Sequence, residues 1–330
     1  MTIKVAVNGY GVIGKRVADA VTQQADMVLT GVCDIAGDWR IAVARDRGVP
    51  VYSATGEAGA GSLEDMARGA DLVVDCTPKG VAAKNAALYR ELGRKFIVQG
   101  GEKHDVTGHS FVAEASYASA LDRPSTRVVS CNTTSIVRVF GALRRAGLLR
   151  RARGTLLRRA LDPWESHLGG IMNTLVPETR VPSHQGPDAQ TVDPELDVVT
   201  MAVKVPETLG HMHFWSADLV GRPSREDVRS VLAASPRVAF VQASEGLGAL
   251  NAVKERMLDL GRPRGDLYEV ALLEETLTVE NGELFCAYMV DNQAIVIPET
   301  IDAIRALTGA ERDAALSMAK TNRALSIIAA

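Results

Sequence analysis

The sequence predicts an α/β chain in two parts: a doubly wound parallel sheet, then an α+β unit whose sheet is mostly antiparallel. Three observations carry this. Short buried strand patterns alternate with helical patterns through the first third of the chain. Beyond it, long and partly alternating apolar runs follow one another with few helical stretches between them. The 330 residues, 46% hydrophobic and 23% charged, suffice for two cores.

Ile3 to Val7 reads as a buried strand, followed by Asn8-Gly9-Tyr10-Gly11-Val12-Ile13-Gly14 and a helical run through Val17, Ala18 and Val21. Strand, G-x-G-x-x-G and helix form a dinucleotide fingerprint of the Rossmann type. Gly9 permits the tight turn, Gly11 lets backbone approach a pyrophosphate, and Gly14 lets the helix pack on the sheet. The phosphate then meets the helix N-terminus. A second strand, Met27 to Val32, ends at Cys33-Asp34. Asp34 stands where an acidic side chain accepts hydrogen bonds from the adenosine ribose, and a carboxylate there repels a 2′-phosphate. It favours NAD over NADP as cofactor.

Leu72 to Thr77 is a further strand, followed by Pro78-Lys79-Gly80 and a helix bearing Lys84 and Asn85. Phe96 to Val98 is another, ending in Gln99-Gly100-Gly101-Glu102-Lys103-His104, whose glycines border the cofactor. Arg127-Val128-Val129 leads into Ser130-Cys131-Asn132-Thr133-Thr134, and a helical run (Ile136, Val137, Phe140, Leu143) leads out. A cysteine at such a junction meets the first N–H groups of the helix and the positive end of its dipole. Both favour the nucleophilic thiolate.

An arginine-rich tract follows: Arg144, Arg145, Arg150, Arg151, Arg153, Arg158 and Arg159. It crosses a helix end and a strand and lacks interleaved aromatics, so it reads as solvated structure and not as a nucleic-acid patch. Arg158 and Arg159 are adjacent on an apolar strand and point to opposite faces. Leu196 to Val205, His211 to Val220, Leu267 to Leu273 and Leu284 to Val290 read as strands of an antiparallel sheet. Between Leu168 and Pro194 lies a loop rich in Pro, Gly and polar residues, of the length that usually serves function or an interface. A last helical stretch starts at Pro298-Glu299 and runs to the end.

Net charge is −3 and pI about 6.1, so nothing pulls the chain towards nucleic acid or an anionic membrane. Cys33, Cys76, Cys131 and Cys286 are widely spaced and form no CxxC pair. That argues against a metal site and a disulfide framework, and fits a reducing cytoplasm. No signal-peptide pattern and no membrane-length apolar run is present.

Taken together, NGYGVIGKRVADAV (8–21), DCTPKGVAAKN (75–85), QGGEKH (99–104), RVVSCNTT (127–134), RRALDP (158–163), VPSHQGPD (181–188), TMAVKVP (200–206) and GRPRGDLYE (261–269) resemble the archaeal-type (type II) glyceraldehyde-3-phosphate dehydrogenases. The resemblance implies oxidation of glyceraldehyde 3-phosphate to 1,3-bisphosphoglycerate. Cys131 would form a thiohemiacetal and then a thioester, which inorganic phosphate cleaves. His211 matches the general base; His213, two residues on along the strand, is the second candidate. Ser130 and Asn132 match substrate positions. His184, Thr133 and one of Arg158 and Arg159 are candidates for the phosphate groups. Val12, Ile13, Gly101 and Arg159 match cofactor positions, and Asn292, beside Gln293, aligns with a residue near the nicotinamide. The resemblance also implies a homotetramer.

The chain departs from the family at Gln185, a substrate position where two adjacent histidines are usual, and at Ser135-Ile136-Val137 after SCNTT. These departures sustain an alternative, a paralogue acting by the same Cys/His chemistry on another phosphorylated or phosphonylated aldehyde. A non-catalytic NAD-binding regulator is the alternative of another class. The expected organisation is a dinucleotide-binding unit (1–130), a catalytic unit (131–292) and a helix (293–330) returning to the first.

Overall fold

The computed structural model describes residues 2–35, 37–55, 59–99, 101–163 and 171–328. Gly100 and the start of the expected loop at Leu168 lie outside the described residues. The chain divides into two compact units, Met1–Ser130 with Val296–Leu325, and Cys131–Ile295 with Ser326–Ala330.

The first unit runs β1 (Ile3–Asn8), α1 (Val12–Thr22), β2 (Met27–Asp34), α2 (Trp39–Asp46), β3 (Val51–Ser53), α3 (Leu63–Arg68), β4 (Leu72–Asp75), α4 (Ala82–Glu91), β5 (Lys95–Val98), β6 (Ser110–Phe111), α5 (Ala113–Ala120) and β7 (Ser125–Val128). Its seven strands lie in the order β3-β2-β1-β4-β5-β7-β6, and every pair is parallel. β1 and β4 are therefore neighbours whose connections leave in opposite directions, which opens a crevice at their C-terminal ends. The strands are apolar on both faces because helices cover both: Ala6, Val73, Phe96 and Val98 pack with Met66, Ala86 and Tyr89.

The second unit runs α6 (Cys131–Arg145), β8 (Leu149–Arg159), β9 (Val176–Pro177), α7 (Gln185–Gln190), β10 (Val198–Val205), β11 (His211–Leu219), α8 (Arg225–Ala233), β12 (Val238–Val241), α9 (Leu250–Asp259), β13 (Val270–Leu273), β14 (Thr278–Glu280) and β15 (Glu283–Val290). The sheet order is β12-β13-β15-β11-β8-β10-β9, with β14 on β15. Five of its pairings are antiparallel. The sheet is thus mostly antiparallel, as expected, with parallel pairings at β8/β10 and β12/β13. Parallel neighbours need a crossover; the stretch holding α7 supplies one, and α9 supplies the other.

The chain then returns to the first unit as two helices, α10 (Val296–Thr308) and α11 (Ala314–Ala324), where a single stretch was expected. Gly309, at φ +67, ends α10. Arg305 is 1% exposed and bonds both Asp26 oxygens at 2.7 and 2.8 Å, while Glu299 accepts from the Ala113 N–H at 2.6 Å. After Leu325 the chain belongs to the second unit: Arg262 binds the Ser326 carbonyl, and the Ile328 N–H donates to Glu269. The returning segment is thus 296–325, narrower than 293–330.

Candidate active site

In the first unit a cavity of about 460 Å³ opens at the β1/β4 crevice, lined by Gly9, Gly11, Asp34, Arg40, Cys76 and Thr77 among others. Gly9 has φ +85, and a Cβ there would strike the Thr77 N at 2.8 Å. At Gly14 a Cβ would come within 1.8 Å of the Gly9 carbonyl oxygen, so only glycine lets α1 start this close to the turn. Gly11 is different: a Cβ would meet only Arg40 Nη1, at 3.8 Å, because its open side is the cavity. Gly11 is also the N-cap of α1 and caps it with no side-chain hydrogen bond. An anion-ready helix start facing this cavity fits the pyrophosphate of a dinucleotide.

Buried Asp75 fixes the floor of this cradle. It accepts from Asn8 Nδ2 (3.1 Å), Asn85 Nδ2 (2.9 Å), Tyr89 OH (2.7 Å) and the Thr77 N–H (3.0 Å). Asp34 lines the cavity at the end of β2, and its carboxylate accepts from the Tyr10 N–H at 2.7 Å. Arg40, which the sequence reading missed, lies beside it and is clasped by Asp38 at 2.6 Å. Its only sequence signal was an arginine shortly after the β2 acid. Val12 and Ile13 open α1, and Gly101 sits 3.7 Å by its Cβ direction from Lys79. None of these three lines the cavity.

In the second unit Cys131 is the first residue of α6 and is half-buried; Ser130 precedes it, partly exposed. β11 alternates, so His211, His213 and Trp215 share its buried face while Phe214 points outward. His211 Nε2 stands 3.4 Å from Cys131 Sγ. Its Nδ1 accepts from the Arg159 backbone N–H at 3.1 Å. Burial pushes the Cys131 thiol up to about 11, against the lowering influence of Arg159, the Asn132 N–H and Arg158. Burial also drives His211 well below the ordinary imidazole value, helped by His213, Arg159 and Arg158. The Asn132 N–H at the helix start favours the thiolate in the expected direction, and desolvation of the sulfur by burial is the larger influence.

His213 lies deeper on the same face. It is fully buried, its Nε2 lies 2.8 Å from Asn132 Oδ1, and burial followed by Arg158 takes it down to about 3. Thr133 is fully buried, and its hydroxyl donates to Asp188 at 2.8 Å, tying α6 to the segment of α7. Arg158 pairs with Glu178, whose other oxygen is 3.6 Å from the exposed His184. Arg159 pairs with Asp162 at 3.1 Å. Gln185 is buried, accepts from Ser183 Oγ at 2.7 Å, and leaves its Nε2 without a partner. Gln293 donates to Asp162, whereas the buried Asn292 keeps an unpartnered Oδ1. Glu178 and Asp162 carried no sequence signal, since folding brings their partners to them: Arg158 and His184 to the one, Arg159 and Gln293 to the other. Elsewhere in the arginine tract Arg144, Arg151 and Arg153 also pair with acids.

A parallel nucleotide-type sheet joined in one chain to a unit bearing a cysteine–histidine pair defines an oxidoreductase of the dehydrogenase class. The family model described as "Glyceraldehyde 3-phosphate dehydrogenase, C-terminal domain" matches residues 130–248. A second, "Dihydrodipicolinate reductase, N-terminus", matches residues 3–106. Glyceraldehyde-3-phosphate dehydrogenase of Methanococcoides burtonii is 44% identical over 98% of this chain and 99% of its own. That of Methanothermobacter thermautotrophicus is 43% identical over 99% and 100%, and that of Pyrobaculum calidifontis 46% over 93% and 92%. The chain belongs to the archaeal-type glyceraldehyde-3-phosphate dehydrogenase family. Its fold and relatives imply a nicotinamide cofactor and a small-molecule substrate. Among the described residues no helix is long and apolar enough to cross a membrane.

Proposed function

We propose that this chain carries out the phosphorylating oxidation of glyceraldehyde 3-phosphate to 1,3-bisphosphoglycerate. The observation that carries the proposal is the 3.4 Å approach of His211 Nε2 to Cys131 Sγ at the start of α6, beside two arginines. Cys131 attacks the aldehyde carbon, and the sulfur stays bonded through the acyl stage until inorganic phosphate displaces it. In this reading the α6 backbone N–H groups and Asn132 are the donors for the charge that develops on the substrate oxygen. Ser130, Arg158, His184 and Gln185 surround the phosphate-bearing end. A nicotinamide dinucleotide supplies the hydride acceptor when bound; Gly9, Gly11, Gly14 and Asp34 hold its adenosine half, with Val12, Ile13 and Gly101 nearby. Arg159 and the open Oδ1 of Asn292 serve its other half. Asp34 makes NAD the preferred form, with NADP as the lesser one.

The outer face of the second sheet supports assembly as a homotetramer. Met201, Phe214 and Phe285 are 52%, 46% and 40% exposed around a groove of about 560 Å³, an apolar area of the kind that partners cover. Four free thiols fit a reducing cytoplasm. A second reading, the paralogue with another phosphorylated or phosphonylated aldehyde, draws on Gln185, neutral and buried with one amide nitrogen open.

The test is formation of reduced nicotinamide from glyceraldehyde 3-phosphate, with NAD or NADP and with or without phosphate or arsenate. Anion-dependent turnover that disappears in Cys131→Ser supports the proposal. Absence of turnover from folded protein that binds NAD would turn the assignment to the paralogue, with Gln185→His as the variant to examine.

A further inference from the structure

We infer that Lys254 on α9 is a positioning residue for the nucleophile: by pairing with the buried Asp291 it holds the turn after β15 in place and keeps the charge of that carboxylate from acting on Cys131. The inference rests on Cys131 being the nucleophile, as proposed above.

Asp291 is the first residue after β15 and is fully buried. A carboxylate in such a place needs a positive partner and donors for its lone pairs. Lys254 Nζ donates to its Oδ2 at 2.6 Å and to the Gly265 carbonyl at 3.1 Å, so the ammonium is fixed between the two. The Leu267 N–H reaches Oδ2 at 3.2 Å, and the Gln293 N–H reaches Oδ1 at 2.9 Å. The Asp291 carbonyl accepts from the Ile295 N–H at 3.1 Å. Residues 291–295 are thus closed into one turn that carries Asn292 and Gln293.

That turn reaches the cysteine. The Gln293 side chain donates to Asp162, and Asp162 pairs with Arg159 at 3.1 Å. Arg159 is the largest of the influences that favour the Cys131 thiolate, followed by the Asn132 N–H of α6 and Arg158 of β8. His211 of β11 faces the sulfur at 3.4 Å, with His213 next on the same face of the strand. Arg138 of α6 donates to the Tyr268 and Ile295 carbonyls, at 2.7 and 3.0 Å, beside the donors that hold Asp291. Asp291 itself acts on the thiol in the opposite direction to the arginines, adding to burial. With an ammonium 2.6 Å from the carboxylate, the field of the pair at the sulfur is a difference between two opposed charges. Removing either partner leaves the other uncompensated where water screens poorly.

The two charges, removed one at a time, move the thiol in opposite directions. The readout is alkylation of Cys131 by iodoacetamide at pH 9, followed by mass spectrometry of the Cys131 peptide. With the thiol at about 11, the rate there follows the thiolate fraction. Lys254→Met strands the carboxylate, and alkylation slows about three- to tenfold. Asp291→Asn strands the ammonium, and alkylation quickens about three- to tenfold. Lys254→Arg keeps the charge and stays within about twofold of wild type, and Lys254→Met combined with Asp291→Asn returns to within about threefold. A residue that only braced the fold would move both single variants the same way. Both slowing, or neither changing, overturns the inference. Should Lys254→Met fail to fold, Asp291→Asn decides alone: faster alkylation supports the inference, and an unchanged or slower rate overturns it. Alkylation needs no turnover, whereas retention of turnover in Cys131→Ser would defeat the underlying reading instead.

Discussion

Removing the Asp75 carboxylate tests how the nucleotide cradle is built. Asp75 and Tyr89 are fully buried and Asn8 is 2% exposed. Asp75→Ala leaves the Asn8 amide, the Tyr89 hydroxyl, the Asn85 amide and the Thr77 N–H without their acceptor. A buried donor left unsatisfied costs about 1–3 kcal/mol, so the two most deeply buried alone cost about 2–6 kcal/mol. Water reaching Asn85 and Thr77 at the cavity edge lightens their share. Against a domain stability of roughly 5–15 kcal/mol this is a large fraction. Asp75→Asn keeps the shape but sets an amide N–H among donors, at about 2–4 kcal/mol. Urea unfolding followed by circular dichroism gives the stability, and NADH fluorescence gives the affinity. We expect both variants to unfold at lower urea with an unchanged slope. Both should also bind NADH at least about tenfold more weakly, because Thr77 and Gly9 lose their support. Asp75→Ala within about 0.5 kcal/mol of wild type, at unchanged affinity, would refute the reasoning.

Four further outcomes follow from particular contacts. Gly14→Ala places a methyl 1.8 Å from the Gly9 oxygen, so α1 must lift off the turn; NADH binding should fall by more than about tenfold, measured by the same fluorescence titration. With the thiol at about 11, alkylation of Cys131 in the free protein should climb about tenfold per pH unit from neutrality towards pH 10, as the reactive thiolate grows with pH. Arg159→Leu removes the largest influence opposing burial, so alkylation at fixed pH should slow. Glu178→Gln frees Arg158 and His184 from a competing carboxylate. The KM for the phosphorylated aldehyde should drop by up to about fivefold, the worth of a partly exposed ion pair; a rise would show that Glu178 orients Arg158 for substrate.

What the sequence by itself determined was local. Strand, G-x-G-x-x-G and helix announce the cradle because each glycine answers a constraint set by its immediate neighbours, and Ser130-Cys131-Asn132 announces a helix start for the same reason. The alternation of β11 places His211 and His213 on one face from spacing alone. What only the tertiary structure decided lies in pairings between distant residues. His211 meets Cys131 across 80 positions and Asn132 meets His213 across 81. Gln293 meets Asp162 across 131. The pair on Asn132 holds the second histidine inside the unit, and the pair on Asp162 leaves Asn292 as the open amide. The resting charge of Cys131 belongs here too. A helix N-terminus can be read from a pattern of residues, but the desolvation that overrides it depends on how much protein closes over the sulfur. Hydrogen bonding, packing and dielectric act through space, and a linear pattern carries only the contacts that chain neighbours impose on one another.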